Sequence, residues 1–179
     1  MGIDPGLANT GFGVVSVAGS RMKALDGGVI EAPKGPSIER RLAQIHDSVR
    51  ELVEWHEPEA VALEDLYFGK NVRSAMAVGQ ARGVVMLAAA ESGIPCFDYT
   101  PQAVKMAVCG SGSAEKDQVK QMVSSLLGLG SVPSSDHAAD ALAVAICHGS
   151  QAPAVLRISR GDGAGGQPPS ERTQGAVLS

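Results

Sequence analysis

At 179 residues, 44% of them hydrophobic, the chain has the length for one domain with a buried core. Its net charge of −4 excludes a surface that is basic all over, and no apolar run of about 18 residues offers a membrane span. Cys96, Cys109 and Cys147 lie far apart and fit neither a CxxC zinc pattern nor a full set of disulfides, so reduced, mostly buried thiols are expected. Met1 to Asp4 lacks the basic start and apolar stretch of a signal peptide, which gives the expectation of a cytoplasmic protein.

Met1 to Asp4 reads as a strand ending in an Asp-Pro-Gly turn. Gly11–Ala18 and Arg21–Ala32 follow as two β-rich runs joined by a short Gly-Ser turn, the pattern of an antiparallel meander. Pro36 and Ser37 open a helix in which Ile38, Leu42, Ile45, Val49 and Leu52 recur at three- and four-residue steps, and Glu57-Pro58 ends it. Ala60–Leu63 is a short charge-free run, read as a buried strand entering Glu64. Val72–Ser92 has the length and pattern of a long helix. Ala75, Gly79 and Gly83 form a small-residue ridge on it, and Gly83–Ala90 carries no charge, so that stretch belongs in the core or in a partner interface. A last strand is expected near Cys96–Tyr99, then three helices near residues 101–108, 115–127 and 136–148. The order βββαβαβααα indicates an α/β fold, a mixed five-stranded sheet flanked by helices, over residues 1–149. From Ser150 the periodicity stops and the composition turns rich in Gly and Pro, so residues 150–179 read as a largely disordered tail.

Three acids have surroundings unsuited to ordinary surface acids. Asp4 ends one apolar strand and Glu64 another, while Asp140 sits in Ala138–Ile146, a helix with no Lys or Arg at i±3 or i±4. A lone buried carboxylate needs a cation or must stay protonated, and a shared divalent metal would meet that need for all three at once. Oxygen donors favour the hard ions Mg²⁺ and Mn²⁺. Asp136 and His137 stand one turn before Asp140, and on the helical wheel Asp140 lies between them, so geometry does not choose between them. Asp136 follows Ser134-Ser135 and is read as the helix N-cap, which leaves His137 to face the acids.

The charge is unevenly spread. Residues 1–67 hold 6 basic and 11 acidic side chains, whereas residues 68–125 hold 6 and 4. A nucleic-acid surface would therefore be local, built from Lys70, Arg73, Arg82, Lys105, Lys116 and Lys120.

Gly2-Ile-Asp-Pro-Gly6 with Thr10-Gly-Phe-Gly13 resembles the opening motif of the RuvC family of Holliday-junction resolvases. Ala62-Leu-Glu64, Lys70-Asn71, Gly79-Gln-Ala-Arg-Gly83, Val104-Lys105, Gly112-Ser-Ala-Glu-Lys116 and Ala138-Ala-Asp-Ala-Leu142 resemble that family's later motifs, in the same order. The resemblance implies an RNase H-like fold, a homodimer, four-way junction DNA as substrate, and work beside a RuvA–RuvB branch-migration complex. It implies metal ligands at Asp4, Glu64, His137 and Asp140, with Asp4 bridging two ions about 3.5–4 Å apart. The third ligand is often Asp in relatives, and here that place is His137. Lys105 and Lys116 match basic residues close to the scissile phosphate, where they would offset transition-state charge. Relatives carry a few apolar residues before the Gly-Ile-Asp-Pro-Gly stretch, so the first strand is expected to extend upstream. Tyr67-Phe68 is a rare adjacent aromatic pair in a polar loop three residues past Glu64. One of the two is expected to stack on an unpaired base at the crossover and the other to pack beneath the loop, with Lys70, Asn71, Arg73 and Arg82 contacting DNA.

Two rival readings share part of this pattern. A nucleotide-binding fold of the actin and sugar-kinase type also opens with Asp, Gly and a later Gly, but it needs a second similar domain, for which 179 residues leave no room. A junction-binding protein without catalysis would keep the fold and lose the metals, and the presence of Asp4, Glu64 and Asp140 speaks against it.

Overall fold

The structure, a computed structural model, describes residues 1–32, 35–65 and 72–161, with side chains undescribed at 72–74 and 152–161. Among the described residues, five strands and five helices follow in the order β1 (Gly2–Asp4), β2 (Asn9–Ala18), β3 (Arg21–Glu31), α1 (Ile38–His56), β4 (Val61–Glu64), α2 (Val72–Glu91), β5 (Cys96–Tyr99), α3 (Pro101–Cys109), α4 (Lys116–Leu127) and α5 (Asp136–Gly161). The sheet order is β3-β2-β1-β4-β5. β1, β2 and β3 form the antiparallel meander, and β4 and β5 run parallel to β1. This is the mixed five-stranded sheet that the sequence implies.

Helices cover both faces. On one, Ile45, Val49 and Val53 of α1 and Ala81, Val85, Ala88 and Ala89 of α2 bury Ile3, Val14 and Leu63. On the other, α3, α4 and α5 pack over Ala62, Tyr99 and one another through Val104, Val108, Val119, Val123, Leu142 and Val144. β4 is buried from both sides, which explains why Val61-Ala-Leu63 reads as an uninterrupted apolar run.

The glycines of the opening motif set how close α5 comes to the sheet. Gly2 lies against the backbone of Ala141, and Gly11 against the carbonyl of His137; a Cβ at either position would fall well inside van der Waals contact. With small residues on the helix side as well, α5 lies with its backbone against β1 and β2. That contact brings the first turns of α5 down onto Asp4, which pairs across the sheet with Gly11.

The ends of α1 match their sequence signals. Glu57 adopts a left-handed conformation and its N–H returns to the Val53 carbonyl, closing the helix before Pro58. At α5 two expectations need correction. The helix does not stop near residue 148 but continues to Gly161. Ala152, Ala154, Leu156 and Arg157 are good helix formers, and the Gly-rich composition begins only at Gly161. The N-cap is not Asp136 but Ser135, whose Oγ accepts from the Ala138 N–H at 3.5 Å. Asp136 is instead the first helical residue, with its carboxylate turned to two lysines.

Candidate active site

Asp4 and Glu64 end neighbouring parallel strands. The last register pair between β1 and β4 is Ile3 with Leu63, so the two acids leave the sheet side by side. Thr10, fully buried, holds the turn after Asp4: its hydroxyl donates to the Gly6 carbonyl at 2.7 Å and accepts from the Gly6 N–H at 3.4 Å. Above them, α5 presents His137, whose Nδ1 is 2.7 Å from Asp4 Oδ2, and Asp140 one turn further on.

The cation that Asp140 lacks along its own helix comes from α4. Lys116 Nζ stands 3.3 Å from Asp140 Oδ2 and 3.0 Å from Asp136 Oδ2, and Lys120 pairs with the other oxygen of Asp136. These pairs separate two acids that look alike in sequence. Hydrogen bonds from Lys120 and Lys116 hold the exposed Asp136 carboxyl down at about 2. Asp140 is raised above the ordinary carboxylate value, chiefly by burial, with Lys116 opposing the rise and Asp4 adding to it.

Glu64 is the most perturbed of the group. Burial, then the negative charges of Asp4 and Asp140, push its carboxyl up to about 7, against the pull of Lys105 and Lys116. Burial would lower Lys116, but its contacts with Asp136 and Asp140 prevail and hold the ammonium above the usual lysine value. Glu64, Asp140, Lys105 and Lys116 share a cleft of about 200 Å³ whose other walls are Pro101, Val104, Val119 and Val144. Three carboxylates and two ammonium groups, from the ends of two strands and from three helices, thus gather around Glu64.

Among the described residues, no group of three or more His, Cys, Asp or Glu stands in metal-holding geometry. Asp4 is engaged by His137, and Asp140 by Lys116. The donor set nevertheless fits a hard divalent cation: the charges of Asp4 and Asp140 raise the Glu64 carboxyl and that of Asp4 raises Asp140, and a cation between the three acids would relieve that repulsion.

The other sequence-predicted contacts fare differently. Tyr67, Phe68, Lys70 and Asn71 lie outside the described residues, as does the side chain of Arg73. Arg82, assigned above to a DNA-facing surface, is instead 9% exposed, donates to the Glu64 carbonyl at 2.9 Å and pairs with Asp98. The sequence carried a sign of this: Arg82 falls in the same helical stripe as Val85 and Ala89, both fully buried. Of the charge-free stretch on α2, Val85, Ala88 and Ala89 face the core, while Met86 and Leu87 are 40% and 52% exposed, with Met76 of the same helix at 63%.

Residues 1–148 match the family model described as "Crossover junction endodeoxyribonuclease RuvC". Crossover junction endodeoxyribonuclease RuvC of Moorella thermoacetica is 52% identical over 86% of this chain and 92% of that protein. The Chloroflexus aggregans protein of the same name is 48% identical over 88% and 96%. The structure of Thermus thermophilus RuvC in complex with a Holliday junction substrate superposes with a TM-score of 0.82, at 39% identity, over 86% of this chain and 94% of that one. Fold and comparison together define the class, that of the RNase H-like resolvases. Within it, the chain belongs to the RuvC family.

Proposed function

We propose that this chain is a structure-selective endodeoxyribonuclease that resolves four-way (Holliday) DNA junctions by paired, metal-dependent phosphodiester cuts in recombination and repair. The observation that carries the reading is the meeting of Asp4, Glu64 and Asp140 beside Lys105 and Lys116, in a chain of this family. Asp4, Glu64, His137 and Asp140 would hold the ions, two of Mg²⁺ or Mn²⁺. When bound, the ions supply Lewis acidity toward the phosphate and activate water.

The protein's own groups do the rest. Asp4, in contact with His137 and close enough to Glu64 to raise its carboxyl, would be a shared ligand of such ions. Glu64 must lose its proton before it can hold a cation, so metal affinity rises with pH near 7. Lys116, paired with Asp140, and Lys105 line the same cleft, where their ammonium groups would offset the charge of a bound phosphate. His137 contributes a neutral nitrogen, which favours Mn²⁺ over Mg²⁺.

The reading includes a homodimer formed through the outward stripe of α2, where Met76, Gly83, Leu87 and Ala90 recur at steps of seven, four and three residues and are all exposed. It also includes a base-stacking role for Tyr67 or Phe68, DNA contacts from Lys70, Asn71 and Arg73, and action in the cytoplasm beside a RuvA–RuvB complex. Among the described residues, no helix is long and apolar enough to cross a membrane.

A labelled four-way junction incubated with the protein tests the reading. Symmetric nicks in the presence of Mg²⁺ or Mn²⁺, absent in EDTA and absent on linear duplex of the same sequence, are expected. Binding without nicks under every metal condition would leave a non-catalytic junction binder.

A further inference from the structure

Thr10 and Arg82 are the buried polar side chains among the described residues, and Arg82 is the charged one. It reaches from α2 to the end of β4, where Nη1 donates to the Glu64 carbonyl at 2.9 Å and Nη2 pairs with the Asp98 carboxylate of β5. Asp98 is the register partner of Leu63, so one guanidinium ties the last turn of pleat in β4 to its neighbour.

The need for this contact is visible in the ladder. Along β4, the amides of Val61 and Asp65 donate toward β5, to Pro95 and Tyr99 at 2.9 and 2.7 Å, whereas the Ala62 amide donates toward β1, to Met1 at 2.8 Å. By the alternation of a parallel pair, the Glu64 carbonyl faces the β1 side, and its regular donor would be the amide of residue 5. Residue 5 is proline, which has no N–H. The Asp-Pro-Gly turn that ends β1 therefore removes the ladder donor of the Glu64 carbonyl, and Arg82 donates to it instead. A buried carbonyl left unpaired would let the strand end shift or take up water.

We infer that Arg82 is a positioning residue for Glu64: it fixes the strand end from which that carboxylate projects, and it touches neither DNA nor metal. This rests on the reading of Glu64 as a metal ligand. Burial and the anionic partner Asp98 keep the guanidinium from serving as a phosphate contact. Its fork serves two acceptors at once, which a lysine ammonium in the same place does poorly.

The test compares wild type with Arg82→Lys, Arg82→Gln and Asp98→Ala. Four quantities are measured: melting temperature, junction affinity in EDTA, Mn²⁺ affinity of the DNA-free protein by calorimetry, and single-turnover cutting rate. Arg82→Lys and Asp98→Ala are expected to bind junctions as wild type does. Both should lose about 10- to 100-fold in Mn²⁺ affinity or cutting rate, the range typical of partners that orient metal ligands. Arg82→Gln should lose more. If that variant does not fold, Asp98→Ala decides, because its substituted side chain is 49% exposed and leaves the core intact. Folded Arg82→Lys and Asp98→Ala proteins with wild-type Mn²⁺ affinity and rate would overturn the inference. Loss of junction affinity with Mn²⁺ affinity kept would overturn it too, since Arg82 would then be a DNA contact. A wild-type protein that neither binds Mn²⁺ nor cuts would overturn the metal reading itself, a result the variants cannot mimic.

Discussion

Replacing Glu64 by Gln tests the electrostatics of the site apart from its catalysis. In the metal-free protein, burial and the charges of Asp4 and Asp140 raise the Glu64 carboxyl from 4.5 to about 7. The folded state therefore holds a proton there that the unfolded chain releases at lower pH. Stability from this group is fully present below about pH 4.5 and is lost as pH rises to about 7. Taken whole, the shift corresponds to about 3 kcal/mol at about 1.4 kcal/mol per unit, and partial solvent exposure reduces it to about 1–2 kcal/mol. Gln has the same shape and no charge. In EDTA at pH 8.5, Glu64→Gln should melt about 2–8 °C above wild type, while at pH 4.5 the two should nearly coincide. Added Mn²⁺ should reverse the order at pH 8.5, because only wild type gains from binding it. Thermal melts at the two pH values, with EDTA and then with Mn²⁺, provide the check. An equal difference at both pH values, or a wild type more stable than the variant at pH 8.5 in EDTA, would refute the reasoning.

Asp140→Asn should keep its fold and its junction affinity while cutting falls by about 100-fold or more, the size of effect seen when one charge-stabilising group is lost from an active site; gel-shift and single-turnover assays on the same sample separate the two. Gly11→Ala should destabilise the fold by about 1–3 kcal/mol, because the added methyl meets the His137 backbone and lifts α5 off the sheet; urea unfolding measures it. Cutting should fall in that variant even where it remains folded. Leu87→Asp should convert a dimer into monomers with little change in melting temperature, since Leu87 is exposed in the single chain; light scattering reads the mass.

Much of this was legible in the chain because the relevant signals are local. The strand acids are marked by the apolar runs that precede them, and the sheet follows from the alternation of short β runs with periodic helices. The motif glycines, read only as likeness to a family, acquire a physical reason in the contact of Gly2 and Gly11 with α5. What sequence spacing did not give were pairings between distant elements. Asp140 has no basic neighbour on its own helix, yet Lys116 reaches it from α4. Asp136 looks like a cap, but Lys116 and Lys120 take its carboxylate and Ser135 caps in its stead. Arg82 belongs to a cluster of basic residues by count and to the buried stripe of α2 by phase. Phase prevailed, because the Glu64 carbonyl and Asp98 offer it acceptors inside the fold.

In the proposed site, two strand ends and one helix together hold the cation. An anomalous difference map from crystals soaked in Mn²⁺ above pH 7 tests it most directly. A peak is expected between Asp4, Glu64 and Asp140, with His137 turned to it as a nitrogen ligand and Lys116 withdrawn from Asp140. A peak that takes Asp136 and not His137 as ligand would contradict the third-ligand assignment. A saturated soak with no density among the three acids would contradict a metal site there.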